Sequence, residues 1–279
     1  MSESSGERLS VRKTYKLYVG GAFPRSESGR SYPVTAPSGE VVHAAQASRK
    51  DVRDAVVAAR SAFGKWSGAT AYNRGQILYR IAEMLEGRRA QFTDYVGADE
   101  VHAAIDLWVH YAGWADKYAQ VVGSTNPVAG PYFTFSLPEP VGVVAVLTPS
   151  SPSLLGLVAT VAPVIVTGNT AVVVASETAP LPAISFAEVL ATSDLPGGVI
   201  NLLTGFSAEL APWLASHRDV NALDVTGALP GARADLGAAA AENVKRVYVP
   251  RSAEFPATPG LSRLNAFVET KTVWHPIGV

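Results

Sequence analysis

Five histidines, His43, His102, His110, His217 and His275, are the readiest general bases and metal ligands in this chain. No two of them stand four apart, and none joins an Asp or Glu at the spacing of a ligand cluster, so a metal centre is not expected. Cysteine is absent from all 279 residues, which excludes a thiolate nucleophile, a thiolate metal site and any disulfide. No Gly-x-Ser-x-Gly elbow and no phosphate-cradling Gly-rich loop with its Lys is present, so serine hydrolysis and P-loop phosphoryl transfer lack their carriers. Lys and Arg number 23 against 24 Asp and Glu, a balance with no footprint for nucleic acid or an anionic membrane. Charged residues are only 17% of the chain and hydrophobic ones 48%, which points to a surface partly covered by a partner.

The periodicity says what could position any site. Residues 1–15 are Ser-rich, of mixed charge and without the apolar run of a signal peptide, so they read as a disordered leader of a cytoplasmic protein. Two short hairpins are expected between Leu17 and Val42. Ser48 and Asp51 form a capping box for a helix carrying Val52, Val56, Ala59 and Phe63 to Gly64, and two further amphipathic helices follow. The aromatics Trp108, Tyr111, Trp114 and Tyr118 read as helix packing rather than a ligand cage. The uncharged stretch from Pro140 to Ser176 is cut by Pro149-Ser150-Ser151-Pro152 and by Thr167-Gly168-Asn169 into pieces too short to span a bilayer.

From Val141 to Val249, five Val/Ile/Leu-rich strands alternate with four helices. Such runs predict an α/β, doubly wound parallel five-stranded sheet, covered on both faces. Two segments alternate with period two instead: Tyr132–Leu137, before this sheet, and Ala266–His275, after it. Between them, Pro250–Gly260 is proline-rich and aperiodic, an extended connector with a reach of about 35 Å. The expected organisation is thus an α/β domain of residues 16–126 and 141–250, a connector at 251–260, and a β-ribbon from 127–140 and 261–279. In that ribbon Phe133, Phe135, Phe267, Val268, Val273 and Trp274 are candidate partner-interface residues, because two strands leave an open edge.

The succession PEPVGVVAVLTP, APVIVTGNTAVVVASETAPL, LPGGVINLLTG and DVTG resembles the cofactor-binding half of the aldehyde dehydrogenase superfamily in order and spacing. LYVGGAF, FGKWS and NRGQILYRIAEMLE resemble its N-terminal region, so that the likeness runs from about Lys16 to Arg246. On NRGQILYRIAE, YAGWADKY and TSDLPGGVINLLTG the chain is most similar to aldehyde dehydrogenase family 16, in particular its truncated, non-catalytic half. The resemblance implies an NAD-binding fold with an oligomerisation arm. It also locates the departures. After KRV the sequence passes through YVPRSAEFPATPG to LNAFVETKTVW, which looks like the family's oligomerisation strand, so the catalytic domain with its cysteine is expected to be absent and no catalytic residue is assigned. Ser150-Ser151 stand at the family's Trp-Asn pair and Pro250 at its Glu general base. Of the ribose motif Lys-Pro-Ser-Glu, the chain has Val174 and Ala175, then Ser176 and Glu177. Gly205 matches, Ser207 replaces the second glycine of that turn, and the Gly-Ser motif reads Gly227-Ala228.

Ser176, Glu177, Gly205 and Gly227 are therefore the vestigial cofactor-contacting candidates, with weak or no NAD binding expected, since each lost charge-assisted bond costs about 1.5–3 kcal/mol. A structural alternative stands beside this: the glycines end strands, Ser176 caps a helix and Glu177 sits near its first turn. The favoured function is an inactive subunit attached to an active aldehyde dehydrogenase. The alternatives are an NAD-binding oxidoreductase or sensor using the residual cleft, and a structural homo-oligomer.

Overall fold

Every residue of the strands β5 (Val143–Leu147), β6 (Thr170–Val174), β7 (Ile200–Leu203) and β8 (Ala222–Asp224) is buried in a computed structural model that describes residues 13–252 and 254–278. With β9 (Arg246–Tyr248) they form the expected five-stranded parallel sheet, in the order β7-β6-β5-β8-β9. Alternate side chains part to two layers. Val144, Val146, Ala171 and Val173 pack with α2 (Ala71–Gly87), α4 (Ala98–Trp114), α6 (Ser153–Val166) and α7 (Leu181–Leu190). Val143, Ala145, Leu147, Val172 and Val174 pack with α1 (Arg49–Ser67), α8 (Ser207–Ser216) and α9 (Arg233–Ala241). The chain winds outward from β5 to β7, then returns to lay β8 on the other side of β5. The crevice of such a sheet lies at this reversal, outside the carboxyl ends of β5 and β8.

The capping box of α1 is present, with Ser48 Oγ accepting from the Asp51 amide and Asp51 from the Ser48 amide. The helix runs past Gly64 because Trp66 is buried and donates its indole N–H to the Ile165 carbonyl at 2.9 Å. The first expected hairpin is reduced to a turn, whose Tyr18 exchanges backbone hydrogen bonds with Leu202 at the edge of the sheet. The second forms as β1 (Ser31–Thr35) and β2 (Val41–Ala45). Two short helices, α3 (Arg89–Val96) and α5 (Tyr118–Val122), carry too little periodic pattern to stand out in the sequence.

The leader expected over residues 1–15 is corrected at its end. Residues 1–12 lie outside the described residues, but Tyr15 bridges Ala44 and is buried with Tyr32, Val34, Leu181 and Ile184. Lys13 pairs with Glu188 at 2.7 Å. Burying an aromatic ring offsets the ordering cost of this stretch, so it belongs to the folded domain.

The ribbon has three strands: β3 (Ser124–Asn126), β4 (Tyr132–Pro140) and β10 (Val268–Pro276), in the order β10-β4-β3. Pairing of β10 with β4 is continuous, from Val268 opposite Pro140 to Pro276 opposite Tyr132. Phe133, Phe135, Leu137 and Val273 share one face. Trp274 and Tyr132 meet edge to face on the other, 5.7 Å apart. Two interface candidates are overturned here. Phe267 is fully buried and Val268 nearly so, both within the main core, where the Phe267 carbonyl accepts from Val141 N and from Asn169 Nδ2 at 2.8 Å. They form the root of the ribbon, held by burial that is worth about 1.5–3 kcal/mol for a side chain of this size. Phe133 (48%) and Trp274 (58%) are exposed, and Phe135 and Val273 are half-buried. The connector folds back instead of crossing free: Phe255 and Leu261 pack on the core before α10 (Ser262–Ala266) leads into β10. Among the described residues no helix is long and apolar enough to cross a membrane.

Candidate functional site

Two glycines shape the backbone at the carboxyl end of the sheet, Gly227 at the crevice after β8 and Gly205 after β7. A Cβ on Gly227 would lie 1.9 Å from the Thr148 carbonyl oxygen, and its amide donates to the Leu147 carbonyl at 2.8 Å. Only glycine permits the loop after β8 to lie directly on the end of β5. Gly205, with φ +141°, lets the loop after β7 approach Ala47, whose amide nitrogen would be 3.2 Å from an added Cβ.

Of the helices that start at the carboxyl end of the sheet, α6 and α8 bear on a cofactor, since a helix N-terminus is where a phosphate would sit. Each one faces a carboxylate of the protein. Glu177 accepts from the Ser207 amide at 3.1 Å, at the first residue of α8. Glu100, on α4, accepts from the Leu154 and Leu155 amides of α6 at 2.7 and 3.1 Å. Ser176 is buried, donates to the Ser150 carbonyl at 3.1 Å and accepts from the Ala179 amide at 3.0 Å, closing a turn before α7. All four sequence-matched positions thus follow strands at the carboxyl end of the sheet, and Ser176 and Glu177 are employed by the protein itself. The residues present do not fit a pyrophosphate at these helix termini, because its negative charge would meet Glu177 and Glu100.

A second group was not anticipated. Asp224, at the end of β8, is completely buried, and its carboxylate receives Arg263 Nη1 at 2.5 Å. Its other oxygen accepts from the amide and the hydroxyl of Thr226, and Arg263 Nη2 donates to that hydroxyl at 3.0 Å. The guanidinium lies over Tyr248 at 4.7 Å and near Phe255 at 5.8 Å. Burial pushes the Asp224 carboxyl up, against the opposing pull of Arg263 and Thr226. The sequence signal was a lone acid closing an apolar strand, Ala222-Leu223-Asp224. Its partner, 39 positions later, could not be read from spacing.

Among the described residues no group of three or more His, Asp or Glu could hold a metal. Pro250, at the position the resemblance gives to a general base, has no ionisable group, and Ser150-Ser151 stand at its Trp-Asn pair.

Fold and rim together define an α/β doubly wound domain of the dinucleotide-binding architecture. Residues 23–254 match the Aldehyde dehydrogenase family, and the chain belongs to that family. It is 34% identical over 256 residues to aldehyde dehydrogenase family 2 member B4, mitochondrial, of Arabidopsis thaliana, covering 86% of this chain and 47% of that protein. It is 32% identical over 264 residues to human retinal dehydrogenase 2, covering 89% and 50%. Among solved structures, HpcC of Thermus thermophilus superposes with a TM-score of 0.78 at 29% identity, covering 84% of this chain and 47% of that one. An aldehyde dehydrogenase of Bacillus cereus solved as its NAD+ complex gives 0.76 at 26%, covering 84% and 50%. The chain spans about half the length of the curated relatives it matches.

Proposed function

We propose that this chain is a catalytically inert, aldehyde-dehydrogenase-like subunit of the cytoplasm, similar to the truncated halves of family 16, that associates with an active NAD-dependent aldehyde dehydrogenase. The observation that supports the reading is the outer edge of β10. Nine residues long, it is paired with β4 on one side and with no strand among the described residues on the other. An edge of this length is a template for a strand from another chain. Exposed Trp274 and Phe133, with half-buried Val273, give such a pairing apolar side-chain contacts. Residues 249–267 link β9 to β10 with the short helix α10 between them among the described residues, and no cysteine exists to form an acyl-enzyme, so activity would belong to the partner.

Affinity purification from the native cell, with quantitative mass spectrometry, tests this. The expected result is an active aldehyde dehydrogenase at a fixed stoichiometry, lost on Trp274→Lys while the variant's circular dichroism stays unchanged. Elution alone or solely with itself would overturn the proposal, as would reduction of NAD+ by the purified chain.

A further inference from the structure

A hollow of about 640 Å³ opens at the amino ends of β8 and β9, the end of the sheet opposite the crevice. That volume is in the range of small-molecule sites. Three cations line it: Arg218 from the loop before β8, Lys245 just before β9, and Arg246 at its start. Glu269 is the one acid among its described lining residues, and it is paired with Arg246 at 3.5 Å. The Arg218 guanidinium makes no hydrogen bond or ion pair with a described residue; only its backbone carbonyl is engaged, by Asn243 Nδ2 at 3.3 Å.

Lys245 is the informative member of this group. It is 8% exposed, and its ammonium donates to Asn243 Oδ1 but pairs with no described carboxylate. Burial pulls its pKa down, against the opposing pull of Glu242. Buried charges are ordinarily paired, because a single amide oxygen does not replace the water that an ammonium loses. The turn that delivers Lys245 is itself costly. Val244, β-branched and 89% exposed, is held at φ +58°, a conformation that persists only where the surrounding structure imposes it and that gathers at ligand sites. Asn221 adds a donor to the wall: its Oδ1 accepts from Arg60 Nη2 at 2.5 Å and from the Val143 amide at 3.0 Å, which leaves Nδ2 without a partner among the described residues.

We infer that this hollow binds an oxyanion of the phosphate class, as free phosphate or as the phosphate group of a small ester, with Lys245 as a point charge, Arg218 through its planar fork and Asn221 Nδ2 on a remaining oxygen. A tetrahedral anion offers oxygens in several directions, which suits donors arriving from two loops better than the two coplanar oxygens of a carboxylate do. The site needs no partner chain, so its failure would leave the subunit proposal standing.

Calorimetry on the full chain at fixed ionic strength, with inorganic phosphate, glycerol 3-phosphate and glycerol as probes, reads it. At least one of the two phosphates should bind with a dissociation constant of about 1 mM or tighter, and glycerol should not bind. The tighter of the two phosphates tells whether free phosphate or an ester is the occupant. Lys245→Met, which keeps the length of the stem, and Arg218→Gln, at an exposed position, should each weaken binding about tenfold. Arg53→Gln, on α1 and outside the hollow, should leave it unchanged. Unfolding curves would verify that each variant is folded. No saturable binding of either phosphate up to about 10 mM overturns the inference. So does undiminished binding in both Lys245→Met and Arg218→Gln, or an equal loss in Arg53→Gln, which would mark a response to overall charge.

Discussion

Arg263 Nη1 stands 2.5 Å from the buried carboxylate of Asp224 and so fastens the segment after the connector to the end of β8. The pair closes over the part of the sheet from which Tyr248 and Pro250 emerge, with Tyr248 and Phe255 shielding the guanidinium from solvent. Desolvating two charges is expensive, and the attraction offsets that cost only with good geometry and further hydrogen bonds. Thr226 supplies them, through its amide and hydroxyl.

Removing one member should therefore hurt far more than removing both. Arg263→Ala, which strands the Asp224 carboxylate, is expected to lower unfolding free energy by about 3–5 kcal/mol in urea at neutral pH. Asp224→Leu combined with Arg263→Met should recover most of it. A single-variant loss under about 1 kcal/mol would mean that the segment is held by something else.

The ribbon offers a direct contrast between root and tip. Phe267→Ala empties a fully buried site and should cost about 3–5 kcal/mol. Trp274→Ala, at 58% exposure, should change stability by no more than about 1 kcal/mol. Equal losses from the two in chemical denaturation would contradict the placement of Phe267 inside the core.

Acid sensitivity should reside where the N-terminal segment is tied down. Burial pushes the Glu188 carboxyl up, but Lys13 and Arg88, at 2.7 and 2.5 Å, outweigh it and hold it below its ordinary value. A depressed carboxylate contributes stability that is present above the unfolded value and lost as pH falls through the folded one. Unfolding free energy should decline below the ordinary glutamate value of 4.5, with a shallower decline in Glu188→Gln. Superimposable pH profiles of the two proteins would remove Glu188 as the source.

With Glu177 and Glu100 at the two helix termini, titration of NAD+ into the chain should give a dissociation constant weaker than about 1 mM. Tighter binding, abolished by closing the rim with a larger residue at Gly205, would return Ser176, Glu177, Gly205 and Gly227 to cofactor recognition and favour an NAD-binding sensor.

The linear sequence determines the sheet, because strands buried on both faces must be near-continuous runs such as Val143–Leu147 and Thr170–Val174, and few other folds accept five of them separated by helices. It also determines what chemistry is impossible, since a missing thiol cannot be supplied by folding. The alternation of Tyr132–Leu137 and Ala266–His275 marked both segments as half-buried strands, and the fold pairs them as β4 and β10. Which faces of those strands were spent internally was decided elsewhere. Phe267 and Val268 look no different in sequence from Phe133 and Trp274, yet the first two are swallowed where Val141 and Asn169 meet the root of the ribbon. Asp224 and Arg263, the carboxylates capping α6 and α8, and the closeness of Gly227 to Thr148 likewise exist only once distant segments share a surface. Burial and charge pairing are properties of neighbours in space, and the local pattern of a chain records only which side chains are able to be buried, not beside whom.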